Sequence, residues 1–380
     1  MRIAFNGQRL AGQRFGVGRY IEYMLRHWAR MLAADEELSL FVRRPLDADL
    51  ALGARIRPVL LESNMSGIPW ENLRLRWPAS RLDVLFCPAY TAPVGYRGKL
   101  VVATHSVNEA QATAHSAMYR QTYSRIYRHC ARIADAVIVP AESTRAEVIE
   151  HYGVDADRIV IVPQGADDAF QPIEDEAILR ATRERFFGSN RPYVLFVGKG
   201  STRRNVPMLV RAFAELRKSR NIPHGLVLFG PNTSDFPLAQ LCQDLGIVDD
   251  VVQTDGKVDR HADLIPIYGA ADVFVHPSEF EGWSMTTVEA LACGTAVVAA
   301  DRGGLGEVAR GHALMIADPS VDALVDAIGR VLADDALRAD LRVRARARGR
   351  ALRWEVGTRD TLDVVRRVAA GASPIPGAAT

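Results

Sequence analysis

The sequence predicts an α/β protein made of two Rossmann-like, doubly wound parallel-sheet domains. Three observations carry this reading. Short, almost wholly apolar runs alternate with longer stretches of helical periodicity, the pattern of strands buried on both faces beneath covering helices. The alternation falls into two sets, separated at 164–190 by a stretch containing Gly165, Pro172, Gly188 and several acidic residues. The 380 residues exceed what one core usually holds and suit two domains of ordinary size.

In chain order, the first set predicts strands at 3–5, 38–42, 55–60, 84–87, 100–104, 136–139 and 159–162. Amphipathic helices are predicted at 20–32, 119–134 and 143–151. After the first strand, Gly16, Val17 and Gly18 lead into a helix, a turn against which a phosphate or sugar could lie closely. A dinucleotide fingerprint would need a third glycine at the position of Ile21, so NAD binding is unsupported. His105 follows the fifth strand, at the end where ligand-contacting residues of parallel sheets gather. A single histidine there is more often structural than catalytic. The second set predicts strands at 193–197, 226–229, 251–253, 273–276, 297–299 and 314–316, with final helices at 336–352 and 354–368. The first strand of this set runs into a polar loop holding Lys199, Arg203 and Arg204, cations suited to a diphosphate, although loop cations are often merely solvated.

The chain is organised around 278–294, S-E-F-E-G-W-S-M-T-T-V-E-A-L-A-C-G. Pro277 closes the preceding strand, Ser284 can cap a helix, Met285, Val288, Leu291 and Ala292 recur at helical spacing, and Gly294 ends it. A helix start at the mouth of a parallel sheet offers free N–H groups to an anion. Glu281 precedes that helix, and Glu289, inside it, leans back toward its start. A carboxylate suits a ribose diol, so a ribose on Glu289, a diphosphate at the helix start and a sugar on Glu281 would describe a nucleotide-sugar. The bland alternative is a surface loop with solvated glutamates.

This stretch resembles the Glu-x7-Glu signature of the family-four retaining glycosyltransferases, in order and spacing over some twenty residues. Trp283 stands where that family usually has Phe or Leu, and Thr286 where it often has Pro. The resemblance extends to G-V-G-R-Y at the first turn, to 134–170, to F-V-G-K-G-S-T-R-R-N and to Gly256-Lys257-Val258. It implies the GT-B fold, two such domains facing across a cleft. The implied domains are 1–170 on the acceptor side, 171–353 binding the nucleotide-sugar, a helix at 354–369 returning to the first, and a flexible tail at 370–380. The resemblance implies catalytic roles for His105, Glu281 and Arg204. It implies donor contacts at Gly16, Gly18, Lys199, Arg203, Lys257, Val258, Gly282, Trp283, Ser284, Met285 and Glu289. His105 has Ser106 beside it where the family usually has Asp.

The activity implied by this resemblance is transfer of a hexose, with GDP-mannose the weakly favoured donor, to a hydroxyl of a glycan or lipid-linked acceptor, as in bacterial mannosyltransferases of surface polysaccharide assembly. Retention without a nominated nucleophile implies front-face attack, with the leaving phosphate taking the acceptor proton. No cofactor and no metal are expected, since no D-x-D stands where one would hold the diphosphate. The alternatives are a nucleotide-sugar 2-epimerase and a catalytically silent nucleotide-sugar-binding homologue.

Composition fits a soluble globular chain, with 48% hydrophobic and 24% charged residues. Cys87, Cys130, Cys242 and Cys293 have no spacing that suggests zinc or disulfides. The net charge of +2 implies no nucleic-acid partner, but residues 1–165 carry 21 Lys and Arg against 16 Asp and Glu. That basic half is compatible with an anionic membrane surface, a phosphorylated acceptor or an ordinary solvated face. With M-R-I-A-F-N-G opening on a strand instead of a signal peptide, the expected location is the cytoplasm, with peripheral contact at the inner face of the membrane.

Overall fold

The computed structural model describes residues 1–10, 16–46, 50, 52–107, 117–232 and 236–375. The chain divides into two units: Met1–Gln164 with the segment from Trp354 onward, and Gly165–Arg353.

In the first unit seven parallel strands, β1 (Arg2–Asn6), β2 (Glu37–Val42), β3 (Ile56–Leu60), β4 (Val84–Cys87), β5 (Leu100–Ala103), β6 (Ala136–Val139) and β7 (Ile159–Ile161), stand in the order β3-β2-β1-β4-β5-β6-β7. β4, β5 and β6 are buried throughout, which is why their sequences are unbroken apolar runs. β3 lies at an edge and is mostly exposed, and its Pro58 is tolerated there because an edge strand need not donate on its outer side. The chain winds outward from β1 to β3 and then returns to β4 on the other side. The sheet therefore changes direction between β1 and β4, and a ligand crevice forms beyond the carboxyl ends at such a point. The predicted helix at 143–151 is an α-turn, Glu142–Glu147, continued by a π-turn, Val148–Tyr152, that Gly153 ends in the left-handed conformation.

The last helix, Trp354–Ala369, completes this unit. It lies beside the helix Val17–Met31: Trp28 Nε1 donates to the Thr358 carbonyl at 2.8 Å, and Tyr23 stacks on Trp354 with ring centroids 5.0 Å apart. Arg366 grips the Glu36 carboxylate with two hydrogen bonds, 2.9 and 2.8 Å, and these hold that carboxyl below its ordinary range. Residues 370–380 were expected to form a flexible tail. Residues 370–375 fold back on the helix, with Arg367 donating to the carbonyls of Ser373 and Ile375 at 2.7 and 2.9 Å. Residues 376–380 lie outside the described residues.

In the second unit six parallel strands, β8 (Tyr193–Val197), β9 (Gly225–Phe229), β10 (Val251–Thr254), β11 (Val273–His276), β12 (Val297–Ala300) and β13 (Leu314–Ile316), stand in the order β10-β9-β8-β11-β12-β13. The core joins Phe196, Val210, Phe213, Leu228, Val275, Val298 and Ile328, all buried. The direction reverses between β8 and β11. The loop after β8 carries Lys199, Arg203 and Arg204, and the loop after β11 carries Glu281, so the winding alone brings these motifs to one crevice. The expected linker at 164–190 belongs to this unit from Gly165 on. It contains the helix Glu176–Phe187, because Asp175 caps that helix by accepting from Ala177 N at 2.9 Å.

Candidate functional site

At the switch point of the second unit the two loops are sewn together. Asn205 Nδ2 donates to the Pro277 carbonyl at 2.9 Å, Glu279 N to the Arg203 carbonyl at 3.2 Å, and Arg203 Nη1 to the Phe280 carbonyl. Asn205 caps the helix Val206–Arg220 from the left-handed region, φ 54°, a conformation Asn accepts more readily than most residues.

These ties deliver Glu281 to a ring of donors, all facing one of its oxygens. Oε1 accepts from Arg204 Nε at 3.0 Å and from Ser278 Oγ at 3.2 Å, with His276 Nε2 and Arg203 Nη1 at 3.6 and 3.7 Å. Burial alone would raise this carboxyl. Arg204 beside it, then His276 and Arg203, outweigh burial and hold it well below the usual carboxylate range. Oε2 has no hydrogen-bond partner among the described residues, so the anion presents one oxygen fixed by protein and one open to a ligand donor. Behind it, the fully buried His276 ring receives the hydroxyls of Ser284 and Thr287 at Nδ1, both at 3.3 Å. Its own protonation is disfavoured by burial.

The helix Met285–Ala292 starts at this point. Ser284 caps it and accepts from Thr287 N, which leaves the N–H groups of Met285 and Thr286 without a partner among the described residues. Gly282 and Trp283 line the entry. A Cβ at Gly304 would stand 2.1 Å from the Gly282 carbonyl, so the next helix can reach this turn only with glycine there, and Gly304 N in turn donates to the Glu281 carbonyl at 3.0 Å. Lys199 is exposed, and its ammonium has no partner among the described residues. Arg204, expected to meet a diphosphate, donates Nε to Glu281 at 3.0 Å and Nη1 to the Lys199 carbonyl at 3.2 Å.

Glu289 is only 2% exposed. Its Oε2 accepts from the Tyr268 hydroxyl at 2.8 Å, and its Oε1 lies 3.0 Å from His261 Nε2. Tyr268 and His261 are absent from the predicted site, because nothing in their local sequence marks them as partners of a carboxylate on another helix. His276 and Ser278 are also new to it, although their places at a strand end beside Pro277 are a usable signal. At the loop after β10, Gly256 has φ 73°, Lys257 pairs with Asp255 at 3.0 Å, and the Lys257 N–H is taken by the Asp255 carboxylate, also at 3.0 Å. Val258, on the same turn, is half-buried.

In the first unit, Gly16 caps the helix Val17–Met31 at φ 49°, where a side chain would be strained, and Gly18 is buried in its first turn. Residues 11–15 of the loop before it lie outside the described residues. His105 has both ring nitrogens engaged: Nε2 donates to the Pro88 carbonyl at 2.8 Å, and Nδ1 accepts from Gln164 Nε2 at 2.9 Å. Burial, despite the bond to Pro88, lowers it to about 4, so it is a neutral hydrogen-bonded ring at physiological pH. Ser106, in the place of the family's usual acid, meets the Tyr90 hydroxyl at 3.3 Å, and Gln164 fills the supporting role. The four cysteines are buried thiols.

Residues 16–170 match the family model for Glycosyltransferase Family 4, and residues 180–348 match that for Glycosyl transferases group 1. Among curated relatives, a D-inositol 3-phosphate glycosyltransferase of Xylanimonas cellulosilytica is 34% identical over 247 residues, which is 61% of this chain and 56% of that protein. The O-antigen chain mannosyltransferase B of Escherichia coli is 29% identical over 232 residues, 60% of each. The chain thus spans little more than half the length of these relatives. Among solved structures, sucrose-phosphate synthase from Thermosynechococcus elongatus has a TM-score of 0.77 at 23% identity, covering 98% of this chain and 100% of that one. Anabaena HepE in complex with UDP and glucose has a TM-score of 0.79 at 17% identity, covering 96% and 99%. These two likenesses concern the fold. The family is given by the two matching models, which between them take in residues 16–170 and 180–348: the chain belongs to the family-four glycosyltransferases of the GT-B fold.

Proposed function

We propose that the chain is a retaining hexosyltransferase that moves a hexose from a nucleotide-sugar to a hydroxyl of a glycan or lipid-linked acceptor, without a metal ion. The observation that carries the reading is the asymmetry of Glu281: Oε1 is saturated by Arg204 and Ser278, and Oε2 is left for a sugar hydroxyl to donate to. The N–H groups of Met285 and Thr286, without a partner among the described residues, favour the diphosphate, and Lys199 on the loop after β8 adds an exposed cation. The acceptor oxygen attacks the anomeric carbon on the face the diphosphate leaves. The bond from that carbon to the phosphate oxygen breaks, and the acceptor proton passes to the departing phosphate. Charge growing on that phosphate is met by donors already in place, so little reorganisation is needed. Glu289 holds the ribose diol, with Tyr268 and His261 fixing its carboxylate.

GDP-mannose is the favoured donor, a choice supported by the likeness to an O-antigen mannosyltransferase. Likeness to D-inositol 3-phosphate glycosyltransferases adds phosphorylated polyols to the acceptors to be tried. The test is a thermal-shift panel of UDP-, GDP-, ADP- and dTDP-sugars, followed by transfer assays in a chelator with NMR assignment of the product's anomeric configuration. GDP-mannose should raise Tm most, since ligand bound only by the native state stabilises it, and the product should keep the donor's configuration. Sugar release without an acceptor product would favour the epimerase, binding without turnover would favour a silent homologue, and loss of activity restored by Mg²⁺ would defeat the metal-free course.

A further inference from the structure

On the first unit, the crossover between β3 and β4 displays an unusual surface. It consists of the π-turn Glu71–Leu75 and the α-turn Arg76–Ala79. Trp70, Leu75 and Ala79 are fully buried on its inner side, whereas Leu73 is 66% and Trp77 71% exposed. These two lie four residues apart, about one turn, and so share the outer side. Val94, 43% exposed, stands on the neighbouring turn, which is held to this segment by Asn72 accepting from Val94 N at 2.8 Å and by Arg76 Nη2 donating to the Gly95 carbonyl at 2.9 Å.

The charge around this apolar trio is mainly positive, with Lys99 paired to Asp135 at 3.3 Å. Between 72 and 99 the chain holds Arg74, Arg76, Arg81, Arg97 and Lys99 against the single acid Asp83, which is itself paired with Arg2 at 3.2 Å. Among the described residues the guanidinium of Arg74 bonds to a backbone carbonyl, that of Glu62, and to no carboxylate. An indole and a leucine ringed by arginines match the boundary between lipid head groups and acyl chains.

We propose that this face docks on an anionic bilayer, with Trp77 and Leu73 entering the head-group boundary and Arg74, Arg81 and Arg97 meeting lipid phosphates. Such docking is independent of the transfer reaction. Trp77 also supplies the probe. Of the five tryptophans, Trp28, Trp70 and Trp354 are fully buried and Trp283 is 9% exposed, so a spectral change on docking reports Trp77.

The full chain is mixed with phosphatidylglycerol or phosphatidylcholine vesicles, and binding is read by flotation and by tryptophan emission. Binding to phosphatidylglycerol alone is expected, with a blue shift, quenching by brominated acyl chains, and loss at about 1 M salt, where the screening length is about 3 Å. Trp77→Ser should remove the blue shift. Arg74→Glu with Arg81→Glu should weaken binding at least roughly tenfold, with Tm preserved because these side chains are exposed. Failure to bind phosphatidylglycerol, or binding indifferent to both sets of substitutions, overturns the proposal. So does a concentration-dependent dimer that shields Trp77 in vesicle-free solution, which would assign the face to a second copy of the chain.

Discussion

Replacing Arg204 by Ala isolates what the ring of donors does for Glu281. The substitution removes the 3.0 Å bond from Nε and the nearest positive charge, while Ser278 and the more distant Arg203 and His276 remain. Two unit charges about 4 Å apart interact by about 4 kcal/mol at an effective dielectric constant near 20. Because Arg203 lies 3.7 Å away and takes over part of this, the net loss should be about 1.5–3 kcal/mol, the range of a charged hydrogen bond. Glu281 is depressed in the native protein, so its ionised form is stabilised above the ordinary carboxylate range, and that stabilisation vanishes as pH falls through the native value. With Arg204 gone, burial is less opposed and the carboxyl titrates higher. In the wild type, kcat/KM should therefore show no acid limb from Glu281 between about pH 5 and 8, and in the variant that limb should stand about one to two pH units higher than in the wild type, at about 1.36 kcal/mol per unit. Donor binding by titration calorimetry should weaken in parallel at low pH and recover partly at high pH. A uniform loss of turnover at every pH, with donor affinity unchanged, would refute this and give Arg204 to the departing phosphate alone.

Glu289→Ala should weaken nucleotide-sugar binding by about 1.5–3 kcal/mol and also lower Tm, since Tyr268 loses its acceptor, whereas Glu289→Gln should keep Tm; an unchanged donor Kd in both removes Glu289 from the site. Gly304→Ala should abolish transfer, because its Cβ would meet the Gly282 carbonyl at 2.1 Å, and full activity would show that this turn does not shape the site. Glu71 is buried, its Oε2 has no hydrogen-bond partner among the described residues, and it is raised to about 7 by burial, so its contribution to stability is complete below the unfolded value and is lost as pH rises through about 7. Glu71→Gln should flatten that loss in urea melts between about pH 5 and 8, and an unaltered profile would mean that Glu71 is ionised in the fold. His105 runs the opposite way: lowered to about 4, it costs stability as pH falls from its unfolded value toward 4, by at most about 1.4 kcal/mol per pH unit.

The sheets are readable in the sequence because their strands are buried on both faces and carry their own apolar signature. β4, β6, β8, β11 and β13 fall at the predicted residues, and the others begin or end within a residue or so of them. Irregular segments are less legible. The π-turns at Glu71–Leu75 and Val148–Tyr152 have no distinct periodicity, and Pro172 with its acidic neighbours disguises a stretch that holds a capped helix. At the site, Glu281, Glu289, Lys199 and Arg204 stand out through local motif and spacing. Their partners do not, because Arg204 meets Glu281 and Tyr268 meets Glu289 only through strand order and helix packing, relations between residues 77 and 21 positions apart. Likewise the histidine after β5 is visible, but the Gln164 hydrogen-bonded to its ring lies 59 residues on.

The central claim, that Glu281 presents one fixed and one open oxygen to the sugar of a nucleotide-sugar, is tested most directly by calorimetric titration of wild type and Glu281→Gln with GDP-mannose and with GDP. Wild type should bind the sugar nucleotide more tightly than GDP, and Glu281→Gln should lose that increment while binding GDP as before. Equal affinities of both proteins for both ligands would contradict the claim.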